Sequence, residues 1–318
     1  MKTFSFILAS TLLLFAALLL YDSATQAQSE KKVTTRYSGT VVIKQAIEQF
    51  RTVQTIESKV RLECHFFGER YRGHGAYFEK RLPMVSEPDV SANRFLLDLQ
   101  FQADSFLSWG NRSSKLKIVA TGSDVWKYTE IEDEKRQERV DLAKLQDVLA
   151  KSHKGNGNTN SSQSIGWGEL TSLGGLEETL IQIAKFYDFD SASVESESLG
   201  SENLAIWKVS AKLKPDRLQA MIDSYGGNKA VAKHGGEHIP AAVCLYIGKE
   251  DFFPYRICYF NGIKENPFNN PPGIDLEYRD VSINGNDIPT SRFDFKGVEN
   301  VFINDITEDY AKRILGEN

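Results

Sequence analysis

The sequence predicts an α+β fold: a strongly curved antiparallel sheet, a half or incomplete β-barrel, with an α-helical lid on its concave face. Three observations lead there. Apolar and polar residues alternate over several short runs, the pattern of strands with one dry and one wet face. Other stretches repeat apolar residues every three or four positions, as amphipathic helices do. The element order is helix, strands, two helices, strands, helix. It leaves one long sheet whose apolar face needs helices to cover it.

The chain has 318 residues and a net charge of −5. Lys2 precedes a mostly apolar run from Phe4 to Leu20, and small and polar residues Asp22 to Ala27 follow. This is the charged, apolar and small-residue order of a secretory signal peptide, with Thr25 and Ala27 fitting the cleavage site. Residues 1–27 are therefore read as a signal peptide. An uncleaved anchor is the competing reading, although about 17 apolar residues is at the short end for crossing ~30 Å of hydrocarbon. No Cys stands just after the apolar run, which argues against a lipid-anchored N-terminus. Residues 28–40 read as a polar linker, and 41–318 as a single domain with a helical insertion at 141–187.

Within that domain, Ile43, Ala46, Ile47, Phe50 and Val53 share one helical face over 42–56. The period then becomes two. Val60, Leu62, Cys64 and Phe66 alternate with Lys59, Arg61, Glu63 and His65. Strands follow at 76–81, 94–102, 115–120 and 125–131, a meander by their spacing. Leu142, Leu145, Val148 and Leu149 give a short amphipathic helix. Residues 152–166 are polar and of low complexity. Leu170, Leu173, Leu176, Leu180, Ile183 and Tyr187 form the stripe of a longer helix, with Gly174-Gly175 near its start. Segments 191–199 and 203–213 read as a hairpin. Pro215 opens a short helix. Val243, Leu245 and Ile247 face Tyr255, Ile257 and Tyr259 across a turn, 274–283 is one more strand, and Thr307 starts a terminal helix.

Mild acidity argues against a nucleic-acid partner, which calls for a basic patch. His234-Gly-Gly-Glu237-His238 spells a zinc-hydrolase motif, but two internal glycines and Pro240 oppose the helix that chemistry requires, so a solvated loop is expected. No G-x-S-x-G elbow, P-loop or dinucleotide fingerprint is present. The carboxylates lie mostly on polar faces, and a glycosidase pair stays open on sequence alone. The expectation is a protein that is not an enzyme and needs no metal or cofactor.

Cys64 sits on an apolar strand face and reads as a core thiol. The register aligning Val243, Leu245 and Ile247 with Ile257 places Cys244 opposite Cys258, within disulfide range. A disulfide and two free thiols are equal alternatives. The odd count of three cysteines leaves at least one thiol free or intermolecular.

Three local patterns carry a resemblance. Gly73-His-Gly75-Ala-Tyr-Phe-Glu-Lys-Arg81-Leu-Pro83 looks like a G-x-G strand running into a Lys-Arg-Pro turn. Thr121-Gly-Ser-Asp-Val-Trp126-Lys-Tyr128 looks like an Asp-Gly-x-x-Leu-Trp-x-Tyr hairpin. Phe293-Asp-Phe295-Lys-Gly297-Val298 precedes Asp305-Ile-Thr307 as a closing segment. With these motifs the chain resembles the LolA/LolB-like superfamily of periplasmic lipoprotein carriers, in a longer, uncharacterised variant, over about residues 42–315. It departs from the pattern at Thr121, where an Asp is usual, and at Leu82, inserted before Pro83.

The resemblance implies a non-enzymatic periplasmic carrier for lipid or lipoprotein acyl chains, a monomer making transient membrane contact. The expected cavity and lid residues are Leu62, Phe66, Tyr77, Phe95, Leu97, Leu99, Trp126, Tyr128, Leu173, Leu176, Leu180 and Ile183. The lid would be 169–187 with 141–150, latched by Arg81 or by Arg94. Envelope proteins are the alternative partners, bound by the same fold with a filled core; a hydrolase is the third reading.

Overall fold

The computed structural model describes residues 37–66, 69–82, 93–104, 113–131, 133–155, 174–200, 203–224, 239–262 and 266–315. The signal-peptide reading, the 152–166 tract beyond Gly155 and the 234–238 motif lie outside them. Everything described belongs to one compact unit, which starts at Arg36.

Twelve strands among the described residues form a single open sheet. They are β1 (Thr55–Phe66), β2 (Glu69–Arg81), β3 (Asn93–Asp104), β4 (Ser113–Ala120), β5 (Asp124–Ile131), β6 (Glu134–Asp141), β7 (Tyr187–Leu199), β8 (Leu204–Leu213), β9 (Pro240–Gly248), β10 (Pro254–Asn261), β11 (Ile274–Ile283) and β12 (Ile303–Asp305). The spatial order is β12-β6-β5-β4-β3-β2-β1-β11-β10-β9-β8-β7. Two meanders therefore join where β11 pairs antiparallel with β1, Leu62 opposite Leu276. The one parallel pair is β12 on β6. Five α-helices accompany the sheet: α1 (Gly39–Phe50), α2 (Leu142–Gly155), α3 (Gly175–Phe186), α4 (Pro215–Ser224) and α5 (Thr307–Leu315).

The inward face is apolar because alternation puts one residue set there. Phe95, Leu97 and Leu99 of β3 share that face with Ile118 of β4, Val243 and Leu245 of β9, and Ile257 of β10. They meet Val42, Ile43, Ala46 and Phe50 of α1, Leu176, Leu180 and Ile183 of α3, and Met221 and Ile222 of α4. Each of the larger of these side chains taken out of water contributes roughly 1.5–3 kcal/mol. Gly75 sits opposite Leu99 where β2 pairs with β3. A Cβ there would lie 1.8 Å from the Asp98 carbonyl oxygen, so the G-x-G pattern marks a close backbone approach in the curved sheet.

The outer face has its own smaller core. Phe78, Leu96 and Val119 are covered by Ile288 and Phe293 of the C-terminal segment. Gln137 of β6 holds that segment: its Oε1 accepts the Val298 N–H at 2.8 Å and its Nε2 donates to the Val301 carbonyl.

Several elements differ from expectation. The first helix ends at Phe50 rather than running to 56, because Thr55 and Ile56 already pair in β1, with Asn284 Oδ1 accepting the Gln54 N–H at 2.7 Å. The helix expected to 187 stops at Phe186, and Tyr187 opens β7 at once. Strand β6 has almost no apolar pattern. It is held by cross-strand charges instead, Arg139 to Asp124 at 2.6 Å and Lys127 to Glu138 at 3.2 Å. Helix α2 is not part of the lid: Leu145, with Val148 and Leu149, packs on Ala311 and Tyr310 of α5, beside Val140 of the edge strand β6.

Candidate functional site

Between α3 and the inward face lies an apolar cavity of about 130 Å³. Its walls are Leu62, Tyr77, Phe95, Leu97, Leu99, Leu116, Ile118, Ile257, Tyr259, Ile274, Leu276 and Tyr278 of the sheet, with Gly175, Leu176 and Thr179 of α3 above them. No charged side chain lines it among these residues. The volume is close to an engineered ~150 Å³ cavity that admits benzene, so as closed it has room for about six carbon atoms.

One end of α3 is fastened to β2. The helix begins Gly174-Gly175 and has no side-chain cap of its own. Its first N–H groups therefore need partners from elsewhere. Tyr77, Glu79 and Arg81 are spaced by two on β2, so all three point inward. The Leu176 N–H donates to Glu79 Oε2 at 3.2 Å and to the Tyr77 hydroxyl oxygen at 3.1 Å. Tyr77 in turn donates its hydroxyl to Glu79. Gly175 has φ +76°, and a Cβ there would stand 3.0 Å from the Glu79 carboxyl, so only glycine lets the helix start this close.

Arg81 completes the fastening. Its guanidinium pairs with Glu177 of α3, donates to the Arg51 carbonyl at the end of α1 at 2.8 Å, and donates to Asn93 Oδ1 at 3.1 Å. Glu177 also accepts from Arg51 at 3.3 Å. Sheet, first helix and lid helix thus meet at one polar knot on the rim of an apolar cavity. Glu177 and Glu178 in the first turn and Lys185 in the last complement the helix dipole.

The electrostatics follow from burial. Glu79 is 5 % exposed. Burial raises its carboxyl above the ordinary range, and Glu177 adds to this, against the bonds from Tyr77 and Leu176 and the charge of Arg81. Tyr77 and Tyr278 are held neutral by burial, with the Glu79 charge pushing the same way.

Of the residues expected at the site, Leu62, Tyr77, Phe95, Leu97, Leu99 and Leu176 line the cavity. Leu180 and Ile183 are fully buried in the surrounding core without lining it. The Phe66 side chain and Leu173 lie outside the described residues. Trp126 and Tyr128 belong elsewhere: Val125 faces inward, so its neighbour Trp126 and then Tyr128 face outward. Trp126 stacks edge-on against Phe295 at 5.7 Å and lies under Arg139, while Tyr128 donates to Glu130. Arg94 cannot latch α3, because it is adjacent to inward-facing Phe95 and so shares the outer face with Leu96.

Glu79 was the polar site residue that sequence reasoning missed. Its signal was a charged residue at an inward position of β2, between Tyr77 and Arg81. Leu116, Ile118, Ile257, Tyr259, Ile274, Leu276 and Tyr278 were also missed as walls, because only the strand pairing brings β4, β10 and β11 beside β3 and β1 at the cavity.

Cys244 and Cys258 stand opposite each other in the register, yet both thiols are free, as is Cys64. Each has its own contact: Ser210 donates to Cys244 Sγ at 3.4 Å, and Cys258 donates to Asp275 at 3.4 Å. Burial pushes the Cys64 thiol up to about 12 and raises the other two as well. All three are poor nucleophiles.

A second groove, of about 400 Å³, runs between α1 and the start of β7. Its charges are largely engaged by the fold: Thr40 donates to Asp190, Asp188 caps Asp190 and Ser191, and Lys214 donates to the Lys185 carbonyl. Among the described residues no cluster of three His, Cys, Asp or Glu could hold a metal ion, and no helix is long and apolar enough to cross a membrane.

No protein-family model and no curated protein matches the sequence. Among solved structures, the chain is similar to a DUF1329 family protein from Desulfovibrio piger, at 9 % identity and a TM-score of 0.31, over 81 % of this chain and 97 % of that one. It is similar to a LolA superfamily protein from Nitrosomonas europaea, at 10 % identity and a TM-score of 0.22, over 81 % and 98 %. A third is a putative outer membrane lipoprotein-sorting protein domain from Vibrio parahaemolyticus, at 8 % identity and a TM-score of 0.25, over 88 % and 98 %.

Proposed function

We propose that this protein is a non-enzymatic carrier that takes up the acyl chain of a lipid or lipoprotein between its sheet and α3, in the periplasm. The observation that carries the reading is the apolar cavity roofed by a helix whose N-terminus is tied down by a few polar contacts. Each CH₂ group buried there contributes about 0.8 kcal/mol, and no nucleophile or metal is required. The reading of residues 1–27 as a signal peptide supports the location.

At about 130 Å³ the closed cavity is smaller than the ~300–1,000 Å³ of ordinary ligand sites. Room for a chain longer than about six carbons is gained when α3 swings away and the Tyr77–Glu79–Arg81 contacts break. The same small volume favours a second reading, a module with a filled core that binds another envelope protein.

Native mass spectrometry of protein taken from its own envelope, before and after delipidation and re-exposure to phospholipid vesicles, separates the two. Carriage predicts bound lipid that returns after delipidation. It also predicts that Leu97→Trp, which fills the cavity from its wall, abolishes uptake while the protein stays folded. Delipidated protein that takes up no acyl ligand would sink the carrier reading and leave the interaction module.

A further inference from the structure

We propose that Glu79 is a proton-operated catch for the lid, so that α3 opens more readily as pH rises. The inference deepens the carrier reading and rests on α3 being the moving element.

In the closed form the Glu79 carboxyl is shut away from water and receives only neutral donors, the Tyr77 hydroxyl and the Leu176 N–H. The nearest cation, Arg81, is committed to Glu177, Asn93 and the Arg51 carbonyl. The groups facing Glu79 are therefore Tyr77 and Arg81 from its own strand, Glu177 and the Leu176 N–H from α3, and Tyr278 from β11. Its register partners are the apolar Ile56 of β1 and Phe95 of β3. Of the two charges, Glu177 repels an ionised Glu79 and Arg81 is already paired. An ionised carboxyl in this setting is poorly compensated, whereas a protonated one can donate to Tyr77 while still accepting from Leu176.

Lifting α3 removes the Leu176 N–H and admits water, which returns the carboxylate to its ordinary hydration. The closed form thus binds the proton more tightly than the open form, in keeping with the carboxyl's raised closed-state range. Closure is strongest below the ordinary carboxyl value and weakens as pH climbs through the raised one. Between those two values the open-to-closed ratio changes by up to about tenfold per pH unit.

Hydrogen–deuterium exchange of the amides in 176–186, as protection factors corrected for the intrinsic rate, reads the opening directly. From about pH 5 to pH 8, protection of α3 in the wild-type protein is expected to fall by up to about tenfold per unit over part of the range. In Glu79→Gln it is expected to stay flat and high. A flat wild-type profile with α3 still opening overturns the catch and spares the lid. The same holds for a Glu79→Gln profile as steep as wild type. If α3 never exchanges faster than β9 and β10, the lid reading falls and the catch with it. Should Glu79→Gln not fold, ¹³C titration of the Glu79 carboxyl in the wild-type protein decides: a midpoint at or below about 4.3 overturns the proposal.

Discussion

Arg81 of β2 and Glu177 of α3 pair across the rim of the apolar cavity, and the same guanidinium reaches the Arg51 carbonyl at 2.8 Å. One side chain therefore ties the sheet to two of the helices that cover it. The pair is mostly shielded from water, its side chains 19 % and 16 % exposed.

Arg81→Met keeps the aliphatic stem and removes the bonds. It should weaken the hold on α3 by about 1–3 kcal/mol, the effect of leaving charge-assisted partners unsatisfied. Hydrogen exchange in 176–186 should accelerate by roughly 5- to 150-fold, with β9 and β10 unchanged. A double-mutant cycle with Glu177→Gln isolates the pair; a coupling energy near zero would show that the contact holds nothing.

Gly175→Ala should destabilise the closed lid by roughly 1–3 kcal/mol, because φ +76° is unfavourable for alanine. The new methyl would also press on the Glu79 carboxyl. The urea midpoint of the variant, and its uptake of a hydrophobic dye at neutral pH, measure the effect. An unchanged midpoint would mean that the helix starts at another residue.

Cys64, Cys244 and Cys258 should all resist iodoacetamide in the native protein, since burial keeps each thiol protonated and out of reach. After unfolding in denaturant without reductant, three thiols should alkylate. Finding one alkylated thiol, with the other two released only by reductant, would establish a disulfide between the facing pair.

Phe293→Ala should lower stability by about 3–5 kcal/mol, as for other large buried aromatics, because Phe293 is fully buried in the outer core with Phe78 and Leu96. Denaturant unfolding reads the loss. Under about 1 kcal/mol would show that the C-terminal segment is not packed on the sheet.

Much of the fold was legible from periodicity. The alternation in 94–102, 115–120 and 243–259 and the stripe of 176–183 correspond to β3, β4, β9, β10 and α3. The facing of Cys244 and Cys258 followed from simple register. Strand β6 was not legible, because its stabilising pattern is charge against charge on β5 and only the neighbour's sequence completes it. Nor was the partner of α2, whose apolar face fits α5 as well in pattern as it fits the sheet.

The sequence by itself determined that this chain alternates, where it turns helical, that residues 4–20 are mostly apolar, and that glycines stand at 73, 75, 174 and 175. Only the tertiary structure decided which side of each strand is inside. That choice turned Trp126, Tyr128 and Arg94 outward and brought Tyr77, Glu79 and Arg81 together beneath α3. A period of two says that the faces of a strand differ, but the strands paired on either side and the helix docked above select the face that is buried. The same docking put the Glu79 carboxyl at a helix end that has no cap of its own.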